Sequence, residues 1–166
     1  DDWPVIGDDP DGDGRGQPVL VHAKPALPAQ PVAVPPASDE FDRAELGLQW
    51  QWQANPGEGW TSLTANPGQL RLAAQPAPAS GNLYEAANLL LQKFPAEEFT
   101  VTTRLSLDAK ADGDSAGLIV FGYDYAWIGL RRTAGVTHAV LVTRRGADKG
   151  GPQAELDLAA VPAGAA

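Results

Sequence analysis

The sequence predicts an all-β fold, an antiparallel sandwich or barrel, and three observations carry that expectation. Fifteen prolines and 18 glycines in 166 residues leave little room for long helices. Short β-type runs recur between clusters of turn formers, at the spacing of a many-stranded all-β domain. Two of those runs also carry the side-chain patterning of strands. In residues 99–107, Phe99, Val101, Thr103, Leu105 and Leu107 share one face while Thr100, Thr102, Arg104 and Ser106 share the other, as in a half-buried antiparallel strand. Residues 117–122, GLIVFG, are apolar on both faces and predict a central strand covered on both sides.

In chain order, residues 1–23 hold an apolar piece, WPVIG, then the acidic loop DDPDGDGRG and a second β-like run, PVLVH, which together read as strand, turn, strand. Residues 24–37, KPALPAQPVAVPPA, contain five prolines and no glycine. Proline fixes φ and holds the preceding residue extended, so this is a semi-rigid connector and a predicted domain boundary. From Ser38 the β-type runs are LQWQW, WTSLT, QLRLAA, NLLLQKF, FTVTTRLSL, AGLIVFG, YAWIGLRR, THAVLVTRR and QAELDL. The turns between them include NPGEG, NPG, PAPASGN, KADGDS, TAG and GADKGG. No internal repeat is visible, and the tail AAVPAGAA carries no pattern.

Composition excludes several functions. Without cysteine the chain can form neither a disulfide framework nor a zinc-thiolate site. The formal net charge is -9 and the clustered cations are two doublets, Arg131-Arg132 and Arg144-Arg145. Nucleic acid and anionic membrane surfaces are therefore not expected partners, since binding either rests on many cationic contacts to phosphate. No apolar run approaches the roughly 20 residues of a membrane helix. The chain has no methionine and begins Asp1-Asp2-Trp3, so it is expected to be a cleaved product or a segment of something longer; compartment, cytoplasmic or secreted, stays open.

Candidate chemistry is sparse. Asp9, Asp11 and Asp13 alternate ahead of Gly14, matching positions 1, 3, 5 and 6 of an EF-hand-type calcium loop. Position 12 falls on Leu20, which has no carboxylate, so an acidic turn is the first reading and calcium at the three aspartates the alternative. Asp112-Gly113-Asp114 is too short to cage a metal and reads as a hairpin turn. Glycoside hydrolysis usually needs two carboxyl groups across the scissile bond, and no spacing selects a pair from Glu45, Glu85, Glu97, Glu98 and Glu155. His22 and His138 stand far apart, with no G-x-S-x-G elbow.

Aromatic residues are the remaining resource. Trp50, Trp52, Trp60, Tyr84, Tyr123, Tyr125 and Trp127 could stack on sugar rings, or fill a sandwich core. Alternation puts Leu46, Leu48, Trp50 and Trp52 on one face, the two tryptophans about 7 Å apart, with Gln49, Gln51 and Gln53 on the other. Both indoles are accordingly expected to be mostly buried.

The runs SDEFDRAELGLQWQWQANP, WTSLT, NPGQLRL, NLLLQKFPAEEFTVTTRLSL and SAGLIVFGYDYAWIGL together resemble the C-terminal concanavalin A-like β-sandwich of glycoside hydrolase family 43, the β-xylosidases and α-L-arabinofuranosidases. WPVIGDDPDGDGRGQPV resembles the closing stretch of that family's five-bladed catalytic propeller. The resemblance implies a propeller remnant over 1–23, a linker over 24–37 and an incomplete concanavalin A-like jelly roll over 38–166. It also implies that the catalytic carboxylates lie upstream, so that no residue here inherits a catalytic role and no cofactor is required. Expected partners are the propeller of the same protein, xylo- or arabino-oligosaccharides in the intact enzyme, and a second copy of the chain. The competing readings are a self-sufficient carbohydrate-binding module and a purely structural or oligomerising domain.

Overall fold

A computed structural model describes residues 7–21 and 26–161. Its contacts separate the chain into two compact units, Asp1–Val34 and Pro35–Ala166. In the first unit, one antiparallel bridge joins Asp8 to Gln17, with the Gln17 N–H donating to the Asp8 carbonyl at 2.8 Å. The expected strand-turn-strand therefore reduces to a bridged turn. Leu20 and Val21 are almost fully exposed, and a β-run that buries no face gains little from pairing. Residues 3–6 of the first expected strand lie outside the described residues, as does His22.

The second unit is antiparallel throughout. Two small ribbons pair β1 (Gln51–Trp52) with β4 (Leu90–Leu91) and β2 (Thr61–Ser62) with β3 (Arg71–Leu72). The main sheet is a four-stranded meander, β5 (Ser115–Val120), β6 (Tyr125–Thr133), β7 (Val136–Arg144) and β8 (Gln153–Ala160), paired strictly in chain order. The fold class is thus all-β and antiparallel, with single 3₁₀ turns at Leu83–Glu85 and Ala147–Lys149. Eight of the nine runs expected after Ser38 contain a strand.

Alternation decides which face of the meander is inside. Directly paired residues project to the same side of a sheet. Trp127 opposite Val142 and Tyr125 beside them form one buried side, joined by Val140 and Ala147. Leu83, Tyr84, Ile119 and Phe121 pack against this cluster. Close strand approach is written in the sequence at Gly117 and Gly129, which pair across β5 and β6. A Cβ at Gly117 would sit 2.5 Å from the Ile128 carbonyl oxygen, and one at Gly129 would overlap the Ala116 carbonyl.

Three expectations are corrected. Residues 99–107 form no strand, and Phe99 and Val101 are exposed; the alternation is present, but no strand among the described residues pairs with it. Residues 117–120 of GLIVFG lie in β5, which is an edge strand with Val120 exposed, and Phe121 and Gly122 follow it, so apolar character on both faces does not mark a central position. Leu48 is fully exposed rather than sharing a buried face with the tryptophans. The Trp50 N–H closes a turn onto the Gly47 carbonyl at 3.1 Å, and that turn breaks the period-2 pattern before the strand begins at Gln51.

Candidate functional site

At one end of the meander three loops converge on a ladder of aromatic rings. Asn82 is the joint. Its side chain is 2% exposed; Oδ1 accepts from the Tyr84 N–H at 3.2 Å, which caps the 3₁₀ turn, and Nδ2 donates to the Ala147 carbonyl at 2.7 Å. The Ala147 N–H donates to the Tyr123 carbonyl at 2.7 Å, and the Gly146 N–H donates to Asp124 Oδ1 at 2.7 Å. The buried Tyr125 hydroxyl accepts from the Leu83 N–H at 3.2 Å. Residues 80–86, 121–125 and 145–151 are thereby tied together by polar contacts that the interior makes expensive to leave unmade.

On this frame the rings run outward. Phe121 lies 6.3 Å from Tyr125, Tyr84 stacks on Phe121 at 6.0 Å, and Tyr123 lies 6.2 Å from Tyr84. Tyr125 is buried, Tyr84 half-buried, and Tyr123 is 70% exposed. A rigidly mounted ring with an open face can stack on the C–H face of a sugar or on an apolar surface of another domain.

Trp50, Trp52, Trp60 and Trp127 are held in local contacts. Trp127 is 5% exposed, with the Arg131 guanidinium 5.2 Å over its ring. Trp52 meets Trp60 edge-on at 5.5 Å. Trp50 lies 5.8 Å from Phe41, and its indole N–H donates to Asp39 Oδ2 at 2.9 Å. Trp50 and Trp52 are both half-buried, so the expectation of mostly buried indoles holds only in part; each is turned into a local contact rather than into a common core. Asp39 was not singled out by sequence reasoning, yet its carboxylate also accepts from Gln49 Nε2 at 2.9 Å and the Phe41 N–H at 2.9 Å, and faces Arg43. Burial pushes its pKa up, but the Trp50 and Phe41 hydrogen bonds and the Arg43 charge outweigh this and hold it below the ordinary value. The acid ahead of an aromatic in SDEF was the available signal.

The acidic loop does bring Asp9, Asp11 and Asp13 together, each offering a carboxylate oxygen within 4.8 Å of the others. Those carboxylates accept hydrogen bonds from within the loop. Asp9 accepts from the Asp13 and Gly14 N–H groups at 3.0 and 2.9 Å, Asp13 from the Arg15 N–H at 2.8 Å, and Asp11 from Gln17 Nε2 at 2.6 Å. The Gln17 bond leads the causes that lower the Asp11 pKa. This is the bonding of an Asx turn, and Leu20 at the twelfth position supplies no carboxylate. Asp114 likewise accepts from the Ala111 and Lys110 N–H groups, which lower its pKa and close the 110–114 turn.

The glutamates are dispersed. Glu155 is paired with Arg131, Glu85 accepts from the Ser80 hydroxyl at 2.8 Å, and Glu45, Glu97 and Glu98 are exposed. His138 faces Asp157 at 2.8 Å on the β7–β8 ladder.

Residues 38–166 match the family model described as the beta xylosidase C-terminal concanavalin A-like domain. Among curated proteins, a beta-xylosidase of Formosa agariphila is 47% identical over 74 residues, covering 45% of this chain and 12% of its own length. A putative beta-xylosidase of Xylanibacter ruminicola is 38% identical over 130 residues, 78% of this chain and 23% of its own. A non-reducing end alpha-L-arabinofuranosidase of Bacteroides ovatus is 29% identical over 120 residues, 72% of this chain and 21% of its own. The chain thus spans less than a quarter of the length of these relatives. No solved structure gives a significant match.

Proposed function

Since the chain belongs to the beta-xylosidase C-terminal concanavalin A-like domain family, we propose that it is the accessory domain of a glycosidase that removes xylose or arabinose units from xylan-derived glycans. The observation that carries this reading is the family match over residues 38–166. In it, the general acid and base belong to a catalytic domain upstream, set far enough apart to admit a water for single-displacement hydrolysis. The role of this chain is to pack against that domain. No nucleic acid, membrane or cofactor takes part.

Two assays test the proposal. The chain alone leaves nitrophenyl xyloside and nitrophenyl arabinofuranoside uncleaved; turnover by the isolated chain would place the catalytic carboxylates within it. In the Xylanibacter ruminicola relative, exchanging the matched segment for the corresponding residues of this chain retains cleavage of one of the two substrates, whereas deleting the segment abolishes it. Full activity after deletion would remove any need for the domain.

One observation favours a second reading, carbohydrate binding by the domain itself: the open ring of Tyr123. Calorimetric titration with xylo- and arabino-oligosaccharides separates it from pure scaffolding. Saturable heat that disappears in Tyr123→Ala supports binding, and no heat with either oligosaccharide series rules it out.

A further inference from the structure

The outer side of the meander, opposite Trp127 and Val142, is apolar and carries an internal relief. Leu118, Ile128, Leu141 and Leu156 are paired in direct succession across β5, β6, β7 and β8. They therefore form one straight ridge of large aliphatic side chains at right angles to the strands. Two residues along, the parallel row is small: Ala126 and Ala154 flank Thr143, ending at Val120. Ile128 is 52%, Val120 56% and Leu156 57% exposed, so no described element of the same unit covers this side. A sheet with an uncovered apolar face is half of a sandwich.

We propose that this face packs on the same face of a second copy of the chain, the Leu118–Leu156 ridge of each copy lying in the alanine row of the other. The relief is self-complementary. A twofold axis parallel to the ridge and midway between ridge and alanine row sets each ridge opposite the small row of its partner. The strands of the two sheets are then aligned as in a β-sandwich, about 10 Å apart. A partner of different chemistry would have to find polar groups to recognise, and the face offers few: Arg132 and Thr137, paired at its margin, and the Thr143 hydroxyl. Charge does not oppose the pairing. Residues 115–160 hold five Lys/Arg (Arg131, Arg132, Arg144, Arg145, Lys149) and four Asp/Glu (Asp124, Asp148, Glu155, Asp157), a net +1 against -9 for the whole chain. Four strands about 4.8 Å apart and some six residues long make a face about 20 Å on each side. Two such faces remove roughly 1,000–1,200 Å² in total, the lower bound of stable specific interfaces.

Sedimentation velocity of the full chain over micromolar concentrations tests this. The wild type is expected as a dimer. Ile128→Glu, which places a charge in the interface, and Ala126→Leu, which fills the receiving row, are each expected to weaken it at least about tenfold. Near-ultraviolet circular dichroism of the five tryptophans, Trp127 among them and buried on the opposite side, reports whether each variant is folded. Ala126→Leu is decisive if Ile128→Glu does not fold, because it makes the face more apolar: non-specific stickiness would strengthen association, and the ridge-in-row contact loses it. A monomeric wild type, a dimer unchanged in both folded variants, or tighter association in Ala126→Leu would each overturn the proposal.

Discussion

Asp39 organises more structure than any other acid of the second unit, gathering the Trp50 indole, the Gln49 amide and the Phe41 backbone onto one carboxylate. Its side chain is 6% exposed, so removing it strands donors away from water. Asp39→Ala is expected to cost about 1–3 kcal/mol, read as a lower thermal midpoint together with a shift in Trp50 emission. The pH dependence follows from the lowered pKa: the contribution is complete above the unfolded-state value of about 3.9. It is lost as pH falls through the lower folded value. An acid titration should therefore release Trp50 only below about pH 4 in the wild type, and Asp39→Ala should lack that transition. Asn82→Ala breaks the joint of the aromatic ladder by stranding the Ala147 carbonyl. A loss of about 1–3 kcal/mol is expected, accompanied by faster amide exchange in residues 145–151. Asn82 was not legible as a hub from sequence, because its partner lies 65 positions away; the partners of Asp39 lie within 11 positions, but an acid beside an aromatic looks the same whether it anchors a loop or decorates one.

At the scale of the element, strands were legible wherever a neighbour exists. YAWIGLRR and THAVLVTRR became β6 and β7, which flank each other across the two-residue turn Ala134-Gly135. Both turn residues take positive φ, 48° and 80°, the geometry of a tight hairpin. Residues 99–107 carry an equally good alternation and form no strand. Periodicity specifies which side of a strand would be buried, and says nothing of whether a partner is available. The same limit hid the edge position of β5, since apolar residues on both faces can mean a core or an uncovered side. The paired glycines offer an element-scale test. Gly129→Val forces a side chain into the Ala116 carbonyl and should part β5 from β6. A loss of about 2–4 kcal/mol is expected, with exchange of the β5 amides approaching that of loops. Protection of β5 equal to wild type would show that the close approach tolerates a side chain.

For the whole molecule, family membership was carried by several matched runs in order, from SDEFD to YAWIGL, and by no single site. The aromatic frame at Asn82 needed three separated loops in one place, which only the fold supplies. The acidic loop is the converse, a local pattern complete in itself. Millimolar calcium is expected to leave the melting temperature of the chain unchanged, because Leu20 stands where an EF-hand-type loop needs its bidentate carboxylate; a clear upward shift would assign an ion to Asp9, Asp11 and Asp13. The meander has a consequence in time as well as in space. Each strand of β5–β8 pairs with the one just before it in the chain, across short reversals, so its ladder closes small loops and loses little chain entropy doing so. The β1–β4 ribbon instead joins segments as far apart as Trp52 and Leu90. Pulse-labelled hydrogen exchange during refolding should protect β6 and β7 first and the Trp52–Leu90 pairing last, giving a chain whose C-terminal half is assembled while its tryptophan-rich half is still searching.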